Sequence, residues 1–189
     1  MPFSRPLWIL LSLTLTGPAV AQVDEQLDYQ YYSADADAHT SLGEAISAAS
    51  SIRQDGKVFH GYTKWFVKWR YRWQQRSGRC QLTEVTTTLS GNITLPRLQG
   101  GTPRQRREFE RYFEALRGHE LGHYGYGQTA ARQIDDELSA LQPTSNCKIL
   151  ESTANALAQE LLDQQVALEK RYDIDTRHGA TQGALVRVP

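Results

Sequence analysis

Two kinds of side chain alternate along residues 61–74, "GYTKWFVKWRYRWQ". One series is aromatic and β-branched, and comprises Thr63, Trp65, Val67, Trp69, Tyr71 and Trp73. The other is largely basic, and comprises Lys64, Phe66, Lys68, Arg70 and Arg72. This period of two predicts a β-strand with one buried face. An aromatic series of this kind can be a binding platform, but it is more often core, so we expect it to pack beneath a helix.

Residues 80–96, rich in Thr, Val and Leu, are predicted to be the antiparallel partner of this strand, with a turn at residues 75–79. Upstream, residues 29–32 favour a short strand. Residues 41–51 favour a short helix, because Ser41 and Glu44 have the spacing of a capping box. The sheet is therefore expected to be small, twisted and antiparallel.

Apolar residues recur every three to four positions after residue 102, which predicts a long helix. Thr102 is suited to the N-cap and Pro103 to the first helical position. The apolar stripe comprises Phe109, Tyr112, Phe113, Leu116, Ala130, Ile134, Leu138 and Leu141. A second helix is predicted from about Cys147 to Tyr172. The fold class is thus α+β, a small antiparallel sheet packed on two long helices within a single domain, residues 22–189.

The first 21 residues have a different character. Arg5 precedes an apolar run from Leu7 to Leu15, and residues 19–21 read Ala-Val-Ala. This is the pattern of a secretory signal peptide, and the run is too short to span a bilayer. We expect cleavage after Ala21 and a periplasmic or secreted protein without a membrane span.

Charge and cysteine content narrow the class of function. The 21 basic residues balance the 21 acidic ones, so the composition lacks the excess of positive charge that would indicate nucleic acid as a partner. The two cysteines, Cys80 and Cys147, both follow the predicted cleavage site. In an exported protein an even pair predicts a disulfide.

The stretch "HELGH" at residues 119–123 is the candidate for chemistry. On a helix, His119 and His123 lie one turn apart on the same face, where both imidazoles can bind one Zn²⁺. They continue the apolar stripe, so we expect them to face inward. Glu120 beside them can act as general base for the attacking water and then protonate the leaving amine. Glycines at positions 118, 122, 125 and 127 suggest close backbone approach, or room for a ligand.

The residues alone do not decide which side chain is the third metal ligand. The extended astacin-type motif requires a glycine three residues after His123 and a histidine three residues further on. It is absent, since Tyr126 and Thr129 occupy those positions. The remaining histidines are His39, His60 and His178. We favour His178, in "DTRHG", because a helical hairpin would return the end of the second helix toward the first. Glu151, Asp173 and Asp175 are the alternatives.

An oxyanion donor can come from Tyr124, Tyr126 or Tyr172. Tyr172 is preferred as the catalytic tyrosine because it shares a segment with His178. Asp173 or Asp175 can instead accept a hydrogen bond from a ligand imidazole.

"HELGH", the later "YDIDTRHGATQGA", the strand "YTKWFVKWRY" and "TLP" at residues 94–96 together resemble a bacterial family of predicted secreted zinc-dependent proteases, known mainly as a domain of unknown function. The resemblance covers most of the mature chain. It implies Zn²⁺, a zincin-like fold and peptidase-like chemistry on a peptide or protein substrate. The function expected is that of a zinc metallopeptidase. The alternatives are a non-catalytic envelope protein that binds a metal or a partner, and an amidase acting on cell-wall peptide.

Overall fold

A computed structural model describes residues 23–186, in which three long strands pack against two long helices. The predicted signal peptide, residues 1–21, lies outside the described residues. In chain order the elements are β1 (Asp24–Ala36), α1 (Leu42–Ala49), β2 (Arg53–Gln54), β3 (Lys57–Val58), β4 (Tyr62–Arg76), β5 (Arg79–Gly100), α2 (Pro103–Ser139), α3 (Cys147–Thr176) and a 3₁₀ turn at Ala180–Gln182. The α+β class predicted from the sequence is confirmed.

Strands β4 and β5 form the predicted antiparallel hairpin, paired from Tyr62 opposite Thr94 to Arg76 opposite Arg79. The two-residue turn at Ser77 and Gly78 has positive φ at both positions, 49° and 74°. This turn conformation matches the natural twist of paired strands. The register shifts at Trp73, which is 46% exposed and leaves the aromatic face that the alternation predicted for it.

The predicted all-antiparallel sheet is wrong for β1, which pairs parallel with β5, so the strand order is β1-β5-β4. β1 is also longer than the strand predicted at residues 29–32. The physical reason lies at the ends of the two strands. Parallel alignment brings Ala36 and Gly100 together, and the Gly101 amide donates to the Ala36 carbonyl at 2.7 Å. The starts of α1 and α2 are thereby placed side by side.

The helices begin where the sequence predicts. Ser41 caps α1 and Thr102 caps α2, each in a capping box, with Glu44 and Gln105 as the reciprocal partners. The apolar stripe of α2 lies against the sheet and divides between two core clusters. One contains Leu89, Ile134, Leu138 and Ala154, and the other contains Ile46, Ile93, Leu95 and Leu116. Within residues 23–186, no helix is both long and apolar enough to cross a membrane.

The aromatic face of β4 packs against α3, as expected for core. Trp65 Nε1 donates to Glu169 Oε1 at 3.0 Å, and Trp69 Nε1 donates to Asn155 Oδ1 at 3.2 Å. The apolar bodies of these rings pack on the cluster around Ile134. β4 therefore fixes the position of α3, which carries half of the site described below.

A disulfide joins Cys80 to Cys147, as predicted, with the Cα atoms 5.1 Å apart. It ties the start of β5 to the start of α3. Beside it, the main chains of Cys80 and Thr144 exchange two hydrogen bonds of 2.8 Å.

Replacing both cysteines by serine should lower the free energy of unfolding by about 4 kcal/mol, the chain-entropy value for a loop of this length. The loop spans 67 positions of sequence. Urea unfolding of the oxidised protein and the double variant measures the difference. In reductant the two unfolding curves should coincide, and equal midpoints without reductant would contradict the prediction.

Candidate metal centre

The middle of α2 and the end of α3 meet at "HELGH". His119 is 3% exposed and His123 is 9% exposed, so both face inward as expected. The antiparallel α3 returns to this level and places Asp173 opposite the two imidazoles. The predicted return of the second helix is thus confirmed.

Three side-chain atoms form a nearly equilateral triangle. His119 Nε2 lies 3.2 Å from His123 Nε2 and 3.2 Å from Asp173 Oδ1, and His123 Nε2 lies 3.1 Å from the same oxygen. A tetrahedral zinc site with bonds of about 2.0–2.1 Å has ligand atoms about 3.3 Å apart. The three atoms therefore have the spacing of one face of such a site.

The other imidazole nitrogens are held by acceptors outside the triangle. His119 Nδ1 donates to Gln182 Oε1 at 2.9 Å, and His123 Nδ1 donates to Glu169 Oε1 at 3.1 Å. Such partners fix the tautomer and ring orientation of metal-binding histidines. With a proton on each Nδ1, both Nε2 lone pairs point at the shared centre.

This arrangement needs a positive charge at its centre. Two Nε2 lone pairs and a carboxylate oxygen facing one another repel unless a proton or a cation lies between them. Burial lowers the pKa of His123, but hydrogen bonds to Asp173 and Glu169 outweigh it and raise the pKa to about 9. Burial raises the pKa of Asp173, yet hydrogen bonds from both histidines hold it well below its usual range. The donor set fits a divalent cation.

Glu120 is 4% exposed and lies beside the triangle. Thr63 Oγ1 donates to Glu120 Oε2 at 2.7 Å. Burial raises the pKa of Glu120, and the hydrogen bond from Thr63 partly offsets that rise. A carboxylate with a raised pKa, beside a centre that attracts cations, is suited to accept and return a proton.

Glycines provide the space for these side chains. A Cβ at Gly61 would overlap the Glu120 carboxylate, and one at Gly122 would overlap the Tyr172 hydroxyl. A Cβ at Gly127 would meet the Trp65 ring, whereas Gly118 and Gly125 face open space. Of the four helical glycines singled out in the sequence, two are therefore explained by close approach.

His178, the favoured third ligand, lies next to the triangle. Its Nδ1 is 3.2 Å from Asp173 Oδ1, but it is not among the three donor atoms that lie within 4.8 Å of one another. Both His178 and the preceding Arg177 have positive φ, 52° and 51°. His178 as a metal ligand stays a prediction.

The other candidates lie apart from the triangle. Glu151 is 22 positions before Asp173 on the same helix, about 33 Å at 1.5 Å per residue. Asp175 is exposed and pairs with Arg171 at 2.8 Å. His39 is exposed near the N-cap of α1. His60 lines the same cleft but bonds Ser47 Oγ at 2.9 Å and Tyr112 at 2.7 Å.

Among the tyrosines, Tyr172 is the one in direct contact with the centre. Its ring stacks on His119 with centroids 5.0 Å apart, and its hydroxyl donates to the His119 carbonyl at 3.3 Å. Tyr126 packs behind it at 5.7 Å, whereas Tyr124 is buried in the core. Tyr172 as an oxyanion donor stays a prediction, and its present contacts orient His119.

Glu169 and Gln182 were missed by sequence reasoning, although they orient the two imidazoles. Glu169 precedes Asp173 by four residues, so both lie on one face of α3, a signal that was available. Gln182 follows α3 in the 3₁₀ turn, where no periodicity indicates the direction of its side chain.

The molecule is an α+β protein with a His-His-Asp candidate metal centre between its two long helices. A family model described as "Bacterial protein of unknown function (DUF922)" matches residues 29–179. The chain belongs to this bacterial family. Neither a search of curated proteins nor a search of solved structures gave a match.

Gly122→Ala should lower the free energy of unfolding by about 1–3 kcal/mol, because the added methyl overpacks against Tyr172. Gly125→Ala is the matched control on the same helix. Its Cβ meets open space, so it should stabilise by up to about 1 kcal/mol. Thermal unfolding of both variants checks the pair, and a stabilised Gly122→Ala would contradict the described packing.

Metal affinity should rise with pH, because a cation must displace a proton from His123. Below pH 9 that proton is bound in the metal-free protein. The apparent affinity should therefore increase about tenfold per pH unit from about pH 7 and level off above pH 9. Chelator competition across this range measures it. A flat profile would contradict the proton on His123.

The free energy of unfolding of the metal-free protein should fall as the pH rises, in contrast to the metal affinity. The pKa of His123 is raised in the folded state, so its contribution is complete below its ordinary pKa of 6.5 and is lost as the pH rises through about 9.

Proposed function

We propose that the protein is a zinc-dependent hydrolase of peptide bonds, with His119, His123 and Asp173 as the metal-binding residues and Glu120 as general base. The observation that carries the proposal is the triangle of donor atoms with edges of 3.1–3.2 Å, oriented from behind by Gln182 and Glu169. The buried carboxylate of Glu120 beside it supplies the acid–base group that a metal-binding protein without catalysis does not need.

A zinc ion held there would lower the pKa of a coordinated water and polarise a substrate carbonyl. Glu120 then takes a proton from the attacking water and returns it to the leaving amine. Thr63 holds the Glu120 carboxylate in place through its hydroxyl. Gln182 and Glu169 accept hydrogen bonds from the two Nδ1 atoms, which directs both Nε2 atoms at the centre, where a cation would take the place of the proton on His123.

The surroundings suit an extended substrate. The triangle and Glu120 lie in an open cleft of about 1160 Å³, larger than the usual small-molecule site of about 300–1000 Å³. β4 is an edge strand of the sheet, and residues 62–67 at its start line this cleft. A peptide can add to such an edge through main-chain hydrogen bonds. These features also support a zincin-like relationship.

We also propose that the protein works outside the cytoplasm, in the periplasm or as a secreted protein. The Cys80–Cys147 disulfide supports this, since disulfides persist in oxidising compartments.

Peptide cleavage by protein stripped of metal and then reloaded with zinc tests the proposed function. A mixed peptide library analysed by mass spectrometry should yield products with the reloaded protein and none with the stripped protein. If zinc binds at one ion per chain and no peptide is cut, the proposal is wrong and a binding role takes its place.

A further inference from the structure

Four exposed cations surround the entrance of the cleft that holds the candidate metal centre. They come from four parts of the chain: Arg53 from β2, Lys64 from β4, Lys170 from α3, and Arg177 from the turn that ends α3. Their separation in sequence means that the fold, rather than one basic run, brings them together.

None of these four side chains is paired with a carboxylate among residues 23–186. Arg53 donates to the main-chain carbonyls of Ser50 and Ile52, at 2.7 and 3.1 Å, which leaves its charge uncompensated. The Lys64 ammonium lies 5.0 Å from the centroid of the Phe66 ring. In a chain of zero net charge, this entrance is an uncompensated positive region.

The carboxylates that line the same cleft lie at its base. They are Glu120, Glu169 and Asp173, and each bonds Thr63, Trp65 or the site histidines. A divalent cation bound to the triangle would compensate most of their charge. The cations at the entrance would then dominate the field that an approaching ligand meets.

Apolar side chains lie between the cations. Tyr62 is 47% exposed and Phe66 is 51% exposed, and the two flank Lys64 at a spacing of two residues along the free edge of β4. Strand alternation places the three side chains on one face of β4, opposite to the face from which Thr63 reaches Glu120, and all three border the cleft at the edge of the strand. A peptide added to this edge has every second side chain on that face, so a carboxylate flanked at two-residue spacing by apolar side chains complements the series.

We infer that the cleft selects acidic peptide segments, whose Asp and Glu side chains pair with the cations at its entrance. The inference rests on the proposed function for the cleavage step but concerns recognition, which can be measured without it. Rim charges of this kind act mainly on specificity and association rate and are screened by salt.

Binding is tested with zinc-loaded Glu120→Gln protein, so that bound peptide is not cut. The probes are two fluorescein-labelled peptide mixtures, identical except that one has Asp and Glu where the other has Asn and Gln. Fluorescence anisotropy should give about tenfold tighter binding of the acidic mixture at low salt, the sum of a few exposed ion pairs. The difference should fall to about twofold or less near 0.5 M salt.

Lys64→Gln with Lys170→Gln removes two of the four cations and should reduce the preference for the acidic mixture to about threefold. Lys68→Gln, on the same strand but outside the cleft lining, is the matched control and should retain it. Equal affinity for the two mixtures, absence of binding to both, or an equal loss in the control overturns the inference.

Cleavage of the same two mixtures by zinc-loaded wild type separates the two proposals. Equal cleavage of both mixtures would refute the acidic preference and retain the hydrolase. Preferential binding of the acidic mixture without any cleavage would refute the hydrolase and retain the recognition.

Discussion

Glu120→Gln should lower kcat/KM for peptide cleavage by about 10²–10⁴-fold, the usual contribution of a positioned acid–base group. The amide is isosteric but cannot take a proton from water. The Thr63 hydroxyl can still donate to its oxygen, so the side chain keeps its place. Because Glu120 is not one of the three converging donors, zinc content should stay at about one ion per chain.

The matched control is Glu151→Gln, an exposed carboxylate near the other end of α3, which should leave kcat/KM unchanged. Zinc content and steady-state kinetics are measured on the same preparations. Retained cleavage in zinc-loaded Glu120→Gln would show that another group moves the proton.

Asp173→Asn should weaken zinc binding by more than the about 10–100-fold expected for groups that only orient a ligand. The reason is that Asp173 Oδ1 is the atom that both Nε2 atoms approach within 3.1–3.2 Å. His178→Ala removes a neighbour of that carboxylate and should have the smaller effect, within about 10–100-fold. Competition with a chromogenic chelator gives both affinities.

Asp175→Asn is the control for Asp173→Asn, since Asp175 lies two residues away, is exposed, and pairs with Arg171. It should bind zinc as the wild type does. A larger loss in His178→Ala than in Asp173→Asn would make His178 the third ligand, as the sequence favours.

Local patterns account for much of the fold. The alternation along residues 62–72 predicts β4, and capping residues such as Ser41 and Thr102 predict helix starts, because these signals depend on neighbours in sequence. The direction of β1 does not follow from such patterns. Its parallel pairing depends on contacts at Ala36 and Gly100, which are far apart in the chain.

The same distinction applies to the site, where local spacing predicts some residues and others depend on how distant segments pack. His119, Glu120 and His123 follow from helical spacing alone. The third partner depended on where α3 ends, and the helix continues to Thr176, four residues past the predicted end at Tyr172. That extension keeps Asp173 on the helix, one turn after Glu169, and directs it at the imidazoles.

The contact between Thr63 and Glu120 joins residues 57 positions apart. Alternation places Thr63 on the inner face of its strand, but the helix residue opposite depends on the packing of the whole sheet. Gln182 is similar, because its position follows from the turn of left-handed residues after α3.

The position of the metal ion can be measured directly in a crystal structure of the zinc-loaded protein, with diffraction data collected on both sides of the zinc absorption edge. We expect one anomalous peak per chain, about 2.0–2.2 Å from His119 Nε2, His123 Nε2 and Asp173 Oδ1. A peak that lies away from the two histidines, or no peak in protein shown to contain zinc in solution, would rule out the His119, His123 and Asp173 site.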